Sequence, residues 1–108
     1  MIISVPMTVA PSARTELNAL LATKEPGSVI SMLIGYYYDG ERKIPRLEIG
    51  TYSPEVLDIQ LANCNSFGDP LLHDCDGITV ALVLADTVEW LEGRTLVFAD
   101  GSYQIKSN

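Results

Sequence analysis

Besides methionine, the sequence holds three side chains that can act as soft metal ligands: Cys64, His73 and Cys75. Zinc and iron accept mixed sulfur, nitrogen and oxygen ligands, so these three could form a metal site with Asp74 or Asp76. His73 and Cys75 lie two residues apart, which on an extended strand directs both side chains to one face. The cysteines, however, are separated by ten residues, a spacing that is not typical of zinc sites. We therefore favour a structural turn with free thiols, and an iron or zinc site and a Cys64–Cys75 disulfide remain the alternatives.

Catalytic groups are poorly represented in the same part of the sequence. A cysteine or serine nucleophile needs a base within reach, and His73 is the sole histidine. Cys75 could pair with it on one strand, but the sequence shows no motif for an oxyanion hole or for orienting the histidine. The carboxylate pairs that could act as general acid and base are Glu89 with Glu92 and Asp74 with Asp76. Because Glu89 is better explained by a helix cap and the aspartates by a turn, we predict that the protein is not an enzyme.

Three consecutive tyrosines, Tyr36, Tyr37 and Tyr38, form the least ordinary local feature of the chain. On a strand the first and third rings share one face and the second takes the other, so at least one ring should be exposed. Adjacent tyrosines suit a ligand or partner surface, because each ring offers apolar area plus a hydroxyl. The simpler interpretation is cross-strand packing within the hairpin that Asp39-Gly40 closes. We favour the simpler interpretation and keep the binding surface as the functional alternative.

The first half of the chain is expected to form one helix and a long hairpin. Pro11 suits a first helical position, and apolar residues then recur on one helical face, so we predict a helix over 11–23. β-Branched, aliphatic and aromatic residues over 29–38 predict a strand, and the alternation over 46–52 predicts a returning strand. A less regular alternation continues over 56–62.

The second half is expected to add short strands around one brief helix. The run Ile78 to Ala85 is apolar at nearly every position, which is typical of a strand buried on both faces. Asp86 to Glu89 form a capping box that opens a helix through Glu92, with Trp90 on its core face and Gly93 at its left-handed end. The other expected elements are a loop over 63–70, a short strand at Leu71-Leu72, a turn over 74–77, and strands over 95–98 and 103–106 around Asp100-Gly101. Strands dominate, and two helices are expected in all.

The composition is that of one globular domain over residues 1–108. Apolar residues make up 47% of the chain, enough to build one core without disulfide or metal support. Fourteen acidic residues against seven basic ones give a formal charge of −7, which disfavours nucleic acid and anionic membranes as partners. The start of the chain shows no signal-peptide pattern, and no apolar run is long enough to cross a bilayer, so we expect a cytoplasmic protein.

Four motifs follow one another along the chain: a helix entry over 7–13, a short strand, glycine turn and apolar strand over 69–82, a short helix over 86–93, and two closing strands, 95–98 and 103–105. In this order they resemble the HesB-like domain of the A-type iron–sulfur carriers. The resemblance is closer over the second half of the chain than over the first. It implies an α+β, mainly β fold with mixed sheets, an N-terminal helix and a short helix before the last two strands.

The resemblance also sets expectations for function. Family members that hold a cluster use one cysteine just after the first long strand and a Cys-Gly-Cys near the C-terminus, and clusters are normally held by cysteine thiolates. Here the first position falls within 36–39, and Ser107-Asn108 supply no cysteine. We therefore expect a degenerate relative that does not hold a cluster by the usual ligands, with tyrosine rings filling the ligand pocket. It would act as a non-catalytic binding or interaction module of unknown ligand and partner, and as a homodimer because the carriers associate with themselves. The alternative is a metal-binding protein using Cys64, His73 and Cys75.

Overall fold

The computed structural model describes residues 2–67, 71–82 and 85–107, and for 64–67 and 85–86 it describes the backbone alone. Eight strands and three helices occur in these ranges. The strands are β1 (Ile3–Val5), β2 (Thr8–Val9), β3 (Val29–Asp39), β4 (Arg42–Tyr52), β5 (Leu72–Cys75), β6 (Ile78–Leu82), β7 (Arg94–Ala99) and β8 (Ser102–Ser107). The helices are α1 (Pro11–Ala22), α2 (Pro54–Phe67) and α3 (Ala85–Leu91).

The strands form two mixed sheets. One sheet has five strands in the order β1-β5-β6-β3-β4, and the other has three in the order β2-β7-β8. The pairs β1–β5, β2–β7 and β3–β6 are parallel, whereas the hairpins β3–β4, β5–β6 and β7–β8 are antiparallel. This arrangement confirms the expected α+β, mainly β architecture with an N-terminal helix and a short helix before the last two strands.

The N-terminal segment joins the two sheets. Strand β1 pairs with β5 through Val5 opposite Cys75, and β2 pairs with β7 through Val9 opposite Leu96. Only Pro6 and Met7 separate these two strands, and the Met7 N–H donates to the Val5 carbonyl at 2.8 Å in a tight turn. A few residues at the start of the chain therefore fix the two sheets relative to each other.

The core lies between the sheets, and helices α1 and α3 contribute residues to it. Helix α1 buries Ala13 and Leu17 as predicted from their helical spacing, and alternate residues of β3 are buried from Ile30 to Ile34. Helix α3 contributes the fully buried Leu91. The Thr87 hydroxyl is fully buried and accepts a hydrogen bond from the Ile34 backbone N–H at 3.1 Å. This bond satisfies a strand amide that lies beyond the β3–β6 pairing.

All three predicted Asp-Gly pairs lie at hairpin turns, but in the β3–β4 hairpin Asp39 pairs with Arg42 and the two-residue loop is Gly40-Glu41. The β5–β6 and β7–β8 loops consist of Asp76-Gly77 and Asp100-Gly101, and in both loops both residues have positive φ, between 53° and 86°. Aspartate and glycine tolerate this conformation better than other residues, which is why the pair marks tight hairpins. In the β3–β4 loop, Gly40 alone has positive φ.

Residues 54–67 are helical, which corrects the expectation of two helices. The period-two alternation of Leu57, Ile59 and Leu61 does not reflect a buried strand face, because Ile59 is exposed. The start of α2 carries the usual signals of a helix N-terminus: the Ser53 hydroxyl accepts from the Val56 N–H at 3.4 Å, Pro54 stands first, and Glu55 lies in the first turn. These local signals outweigh an alternation that no second strand completes.

Several boundaries also differ from the prediction. The expected loop over 63–70 is helical up to Phe67, and residues 68–70 lie outside the described residues. Strand β5 runs to Cys75, so the turn is shorter than the predicted 74–77. Helix α3 begins at Ala85, which puts Asp86 inside the first turn instead of before it, and its side chain is among those not described. Residues 83–84 of the predicted strand are likewise not described.

Candidate functional site

The predicted metal ligands on β5 lie in the core. His73 and Cys75 share one face of the strand, as expected from their spacing, but that face is the inner one, with 3% and 0% of their surface exposed. The His73 Nδ1 lies 3.2 Å from the Leu71 carbonyl oxygen, so the imidazole already has a backbone partner. These side chains are packed as core residues.

Cys75 carries a free thiol, so the alternative of a Cys64–Cys75 disulfide is wrong. Burial and, to a lesser extent, the negative charge of Asp74 together raise the pKa of Cys75 to about 12. Because the thiolate is the form that binds metals and attacks electrophiles, Cys75 is poorly suited to either role at neutral pH. Among the residues that the structure describes, no three His, Cys, Asp or Glu side chains are grouped to hold a metal ion. The Cys64 side chain lies outside that set.

The three tyrosines lie at the outer end of the β3–β4 hairpin and are all exposed. The exposed fractions are 42% for Tyr36, 50% for Tyr37 and 69% for Tyr38. The expectation that these rings fill an interior pocket is therefore wrong. Some cross-strand packing does occur, because the Lys43 ammonium lies 4.1 Å from the centre of the Tyr36 ring. Tyr37 instead lines a groove on the side of the molecule.

This groove has a volume of about 770 Å³ and lies between the open sides of the two sheets. We call it the inter-sheet groove. Strand β4 and the β7–β8 hairpin form its walls, and α3 adds Trp90. Its lining residues are Tyr37, Pro45, Arg46, Leu47, Ile49, Trp90, Phe98, Gly101, Ser102, Tyr103 and Ile105.

The groove exists because both sheets end there. Leu47 and Ile49 lie opposite the buried Ile34 and Met32 in the β3–β4 register, so they belong to the inner face of the five-stranded sheet. On β8, Tyr103 and Ile105 lie opposite Phe98 and Leu96 and so belong to the inner face of the other sheet. All four residues in the wall strands pack against the edge of the core yet are only half-buried. The groove is thus an open side of the protein interior.

Aromatic side chains give the groove a defined shape. The rings of Phe98 and Tyr103 pack edge to face, with centroids 5.0 Å apart and planes 73° apart. The Arg94 guanidinium lies 4.6 Å from the centre of the Trp90 ring, which limits the positions open to the indole. Among the described lining residues, Arg46 is the charged one. Burial and the nearby Glu16 raise the pKa of Tyr103, so its hydroxyl stays protonated at neutral pH and can donate a hydrogen bond.

Two of the residues singled out in the sequence line the groove. Tyr37 belonged to the predicted ligand or partner surface, and it is the tyrosine of the three that lines the groove. Trp90 was predicted on the core face of its helix, and it does pack against the core while also lining the groove. Phe98, Tyr103 and Ile105 were not predicted as site residues. Their alternation on either side of Asp100-Gly101 indicates one apolar face, but it does not indicate that this face remains open.

The groove is lined by apolar and aromatic residues and by three residues with polar side chains, Arg46, Ser102 and Tyr103. This set of groups is suited to binding and orienting a ligand. The longest of the described helices, α2, has 14 residues, and no helix in the described part of the chain has the length and apolar character needed to cross a membrane. Comparisons of the chain with protein-family models, with curated proteins and with solved structures found no match.

Proposed function

We propose that this protein is a non-catalytic binding module and that the inter-sheet groove is its ligand site. The observation that carries the proposal is that inner-face residues of both sheets remain half-exposed along the groove. Apolar surface is ordinarily removed from water on folding, so a contiguous aromatic and aliphatic groove is typical of a surface that a ligand covers.

The size and lining of the groove agree with this role. Its volume of about 770 Å³ falls within the roughly 300–1,000 Å³ common for ligand pockets. Aromatic residues and arginine are also the types that contribute most to binding energy at protein interfaces. Trp90 and Tyr103 on one side and Arg46 on the other supply these types here.

The relation to the A-type iron–sulfur carriers is part of the proposal. The protein would share the carrier scaffold while its ligand positions hold other residues, since Tyr38 and Asp39 occupy the region of the first cysteine. Anaerobic reconstitution with ferrous iron and sulfide tests this directly. We expect no visible charge-transfer absorption from a thiolate-bound cluster, and a stable stoichiometric cluster would contradict the proposal.

The rival function, metal binding by Cys64, His73 and Cys75, is tested in a parallel experiment. Metal analysis of the protein after incubation with Zn²⁺ or Fe²⁺ and removal of excess ions should show no stoichiometric metal. The high pKa of Cys75 is the physical reason, because a metal must displace a proton that the buried thiol holds strongly. Stoichiometric metal that is lost in Cys75→Ser would establish the rival function.

The groove itself can be tested with 8-anilinonaphthalene-1-sulfonate, whose rings suit the apolar walls and whose sulfonate suits Arg46. We expect saturable binding at one site in the folded protein. Ile49→Thr should weaken that binding about fivefold, because it removes roughly 1 kcal/mol of apolar contact. Ile59→Thr is the matched control, since Ile59 is an exposed isoleucine on α2 that does not line the groove. Equal effects of the two variants would show that the groove is not the binding site.

A further inference from the structure

The groove is bordered by two open strand edges. Strand β4 is the last strand of its sheet and β8 is the last strand of the other. In an antiparallel pair, residues alternate between those whose N–H and C=O groups face the partner strand and those whose groups face away. Counting residues from the hairpin loop therefore shows which way the backbone N–H and C=O groups point at each position.

In the β3–β4 hairpin, Asp39 and Arg42 flank a two-residue loop. The two residues that close such a loop exchange backbone hydrogen bonds. The backbone groups of the next residue, and of every second residue after that one, face away from the partner strand. The outward-facing positions of β4 are thus Lys43, Pro45, Leu47, Ile49 and Thr51. The same count from Ala99 and Ser102 gives Tyr103, Ile105 and Ser107 as the outward-facing positions of β8.

The outward-facing backbone groups coincide with the groove. Leu47 and Ile49 on one wall, and Tyr103 and Ile105 on the other, are both groove-lining and outward-facing. Within the described parts of the chain, nothing accepts a hydrogen bond from the backbone N–H of Leu47 or Ile49. The groove therefore presents a strand edge together with apolar walls, which is the combination that extended peptides use when they add to a sheet.

Pro45 limits where such an addition can occur. Because it stands at an outward-facing position, its missing N–H costs the β3–β4 ladder nothing. Its ring does block a strand from pairing at that point, in the way that edge prolines prevent unwanted sheet extension. The free edge of β4 is accordingly restricted to Leu47–Thr51, alongside the aromatic wall.

We infer that an extended segment of another protein binds in the inter-sheet groove as an added strand along Leu47–Thr51. This inference rests on the proposed function and specifies its ligand. Alternate side chains of the segment would be apolar, because they face Ile49 and the Tyr103–Ile105 wall. A carboxylate near one end would complement Arg46, which is the charged residue among the described residues that line the groove.

A second copy of this chain fits the edge less well. In a two-fold pairing of β4 strands centred on Leu47, the Ile49 carbonyl of each copy would point at the Pro45 ring of the other. A pairing shifted to avoid Pro45 would still bring the β7–β8 hairpin of each copy against the sheet that contains β4 in the other copy, because that hairpin borders β4. A single strand without neighbours avoids both obstacles.

The test uses a panel of capped octapeptides with Glu at each end and six central residues alternating Thr with Val, Ile, Phe or Tyr. The two terminal carboxylates allow either strand direction to place one near Arg46. Binding is followed by the fluorescence of Trp90, the sole tryptophan, and by amide hydrogen exchange. We expect saturable binding by at least one peptide and slower exchange, by about tenfold or more, at the Leu47 and Ile49 amides.

The decisive control is N-methylation of the best peptide at alternate residues. One alternate set has its N–H groups toward β4, so methylating that set removes about two hydrogen bonds and should weaken binding about thirtyfold, which corresponds to about 2 kcal/mol. Methylating the other set should change affinity little. Equal affinity of both methylated peptides would overturn strand addition.

The remaining outcomes separate this inference from the proposed function. If no peptide binds while the sulfonate dye still binds in the groove, strand addition is wrong and the proposed ligand site stands. If the dye also fails to bind there, the proposed function is wrong. A dimer in sedimentation that protects the Leu47 and Ile49 amides without peptide would assign the edge to a second copy and overturn the inference.

Discussion

Thr87 couples the short helix α3 to the central strand β3, and its replacement by valine tests that coupling. Valine matches threonine in shape but cannot accept the hydrogen bond from the Ile34 N–H, which the Thr87 hydroxyl now takes at 3.1 Å. Thr87 is fully buried, so water cannot replace the lost acceptor. An unsatisfied buried donor costs about 1–3 kcal/mol. We expect Thr87→Val to lower the free energy of unfolding by about 2 kcal/mol.

The assay is urea unfolding followed by Trp90 fluorescence. With a urea m-value of about 1–3 kcal/mol/M for a small domain, the expected loss moves the midpoint down by about 1 M. Thr87→Ser is the matched variant, because it keeps the hydroxyl and removes a methyl group, at a cost of about 1 kcal/mol. The amide of Ile34 should exchange faster in Thr87→Val than in Thr87→Ser.

The result that would refute this reasoning is a valine variant as stable as the parent, or one more stable than Thr87→Ser. Either outcome would show that the hydrogen bond to Ile34 contributes nothing net and that packing alone holds α3 in place. Because α3 carries Trp90 into the groove, destabilised docking of the helix should also weaken dye binding.

Two further predictions concern the β5–β6 hairpin. Burial raises the pKa of Cys75 from 9.0 to about 12. The thiol is therefore protonated in both the folded and the unfolded protein below pH 9, whereas above pH 9 the unfolded protein ionises first. The free energy of unfolding should consequently fall by up to about 1.4 kcal/mol per pH unit between pH 9 and pH 12. Alkaline urea titrations of the parent and Cys75→Ala should diverge accordingly, and parallel pH profiles would contradict the assignment. The Asp76 Oδ2 accepts from the Val9 N–H at 2.9 Å while Asp76 holds positive φ, so Asp76→Ala should cost about 2 kcal/mol or more. Asp76→Asn keeps a hydrogen-bond acceptor and tolerates this φ. It loses mainly the half-exposed ion pair with Arg14 at 3.3 Å, so it should cost less than about 1 kcal/mol of stability. Equal losses of stability in the alanine and asparagine variants on thermal unfolding would exclude the turn geometry as the cause.

Much of the fold follows from local signals in the sequence. The helical spacing of Ala13 and Leu17 and the Asp-Gly turns depend on residues close together in the chain, so the sequence alone predicts them. The helix over 54–67 was not predicted because its alternation resembled a strand. In that segment the Ser53-Pro54 start is the decisive signal, and the alternation has no buried face to match it.

The site depends on long-range pairing, which local patterns cannot specify. The shared face of His73 and Cys75 follows from the two-residue period of a strand, but only the pairing of β5 between β1 and β6 makes that face the core. Likewise, the apolar faces of β4 and β8 can be identified from alternation. That both strands end their sheets on the same open side is decided by pairings such as Val9 with Leu96, which are far apart in the chain.

Amide chemical-shift mapping with 8-anilinonaphthalene-1-sulfonate tests the central claim most directly, because it locates the ligand site without assuming its position. The inter-sheet groove as ligand site predicts that the saturable shifts concentrate on β4 around Leu47–Ile49, on β8 around Tyr103–Ile105, and on the Trp90 indole N–H. Shifts centred on the surface of α2, or on His73 and Cys75 with the groove unaffected, would contradict it.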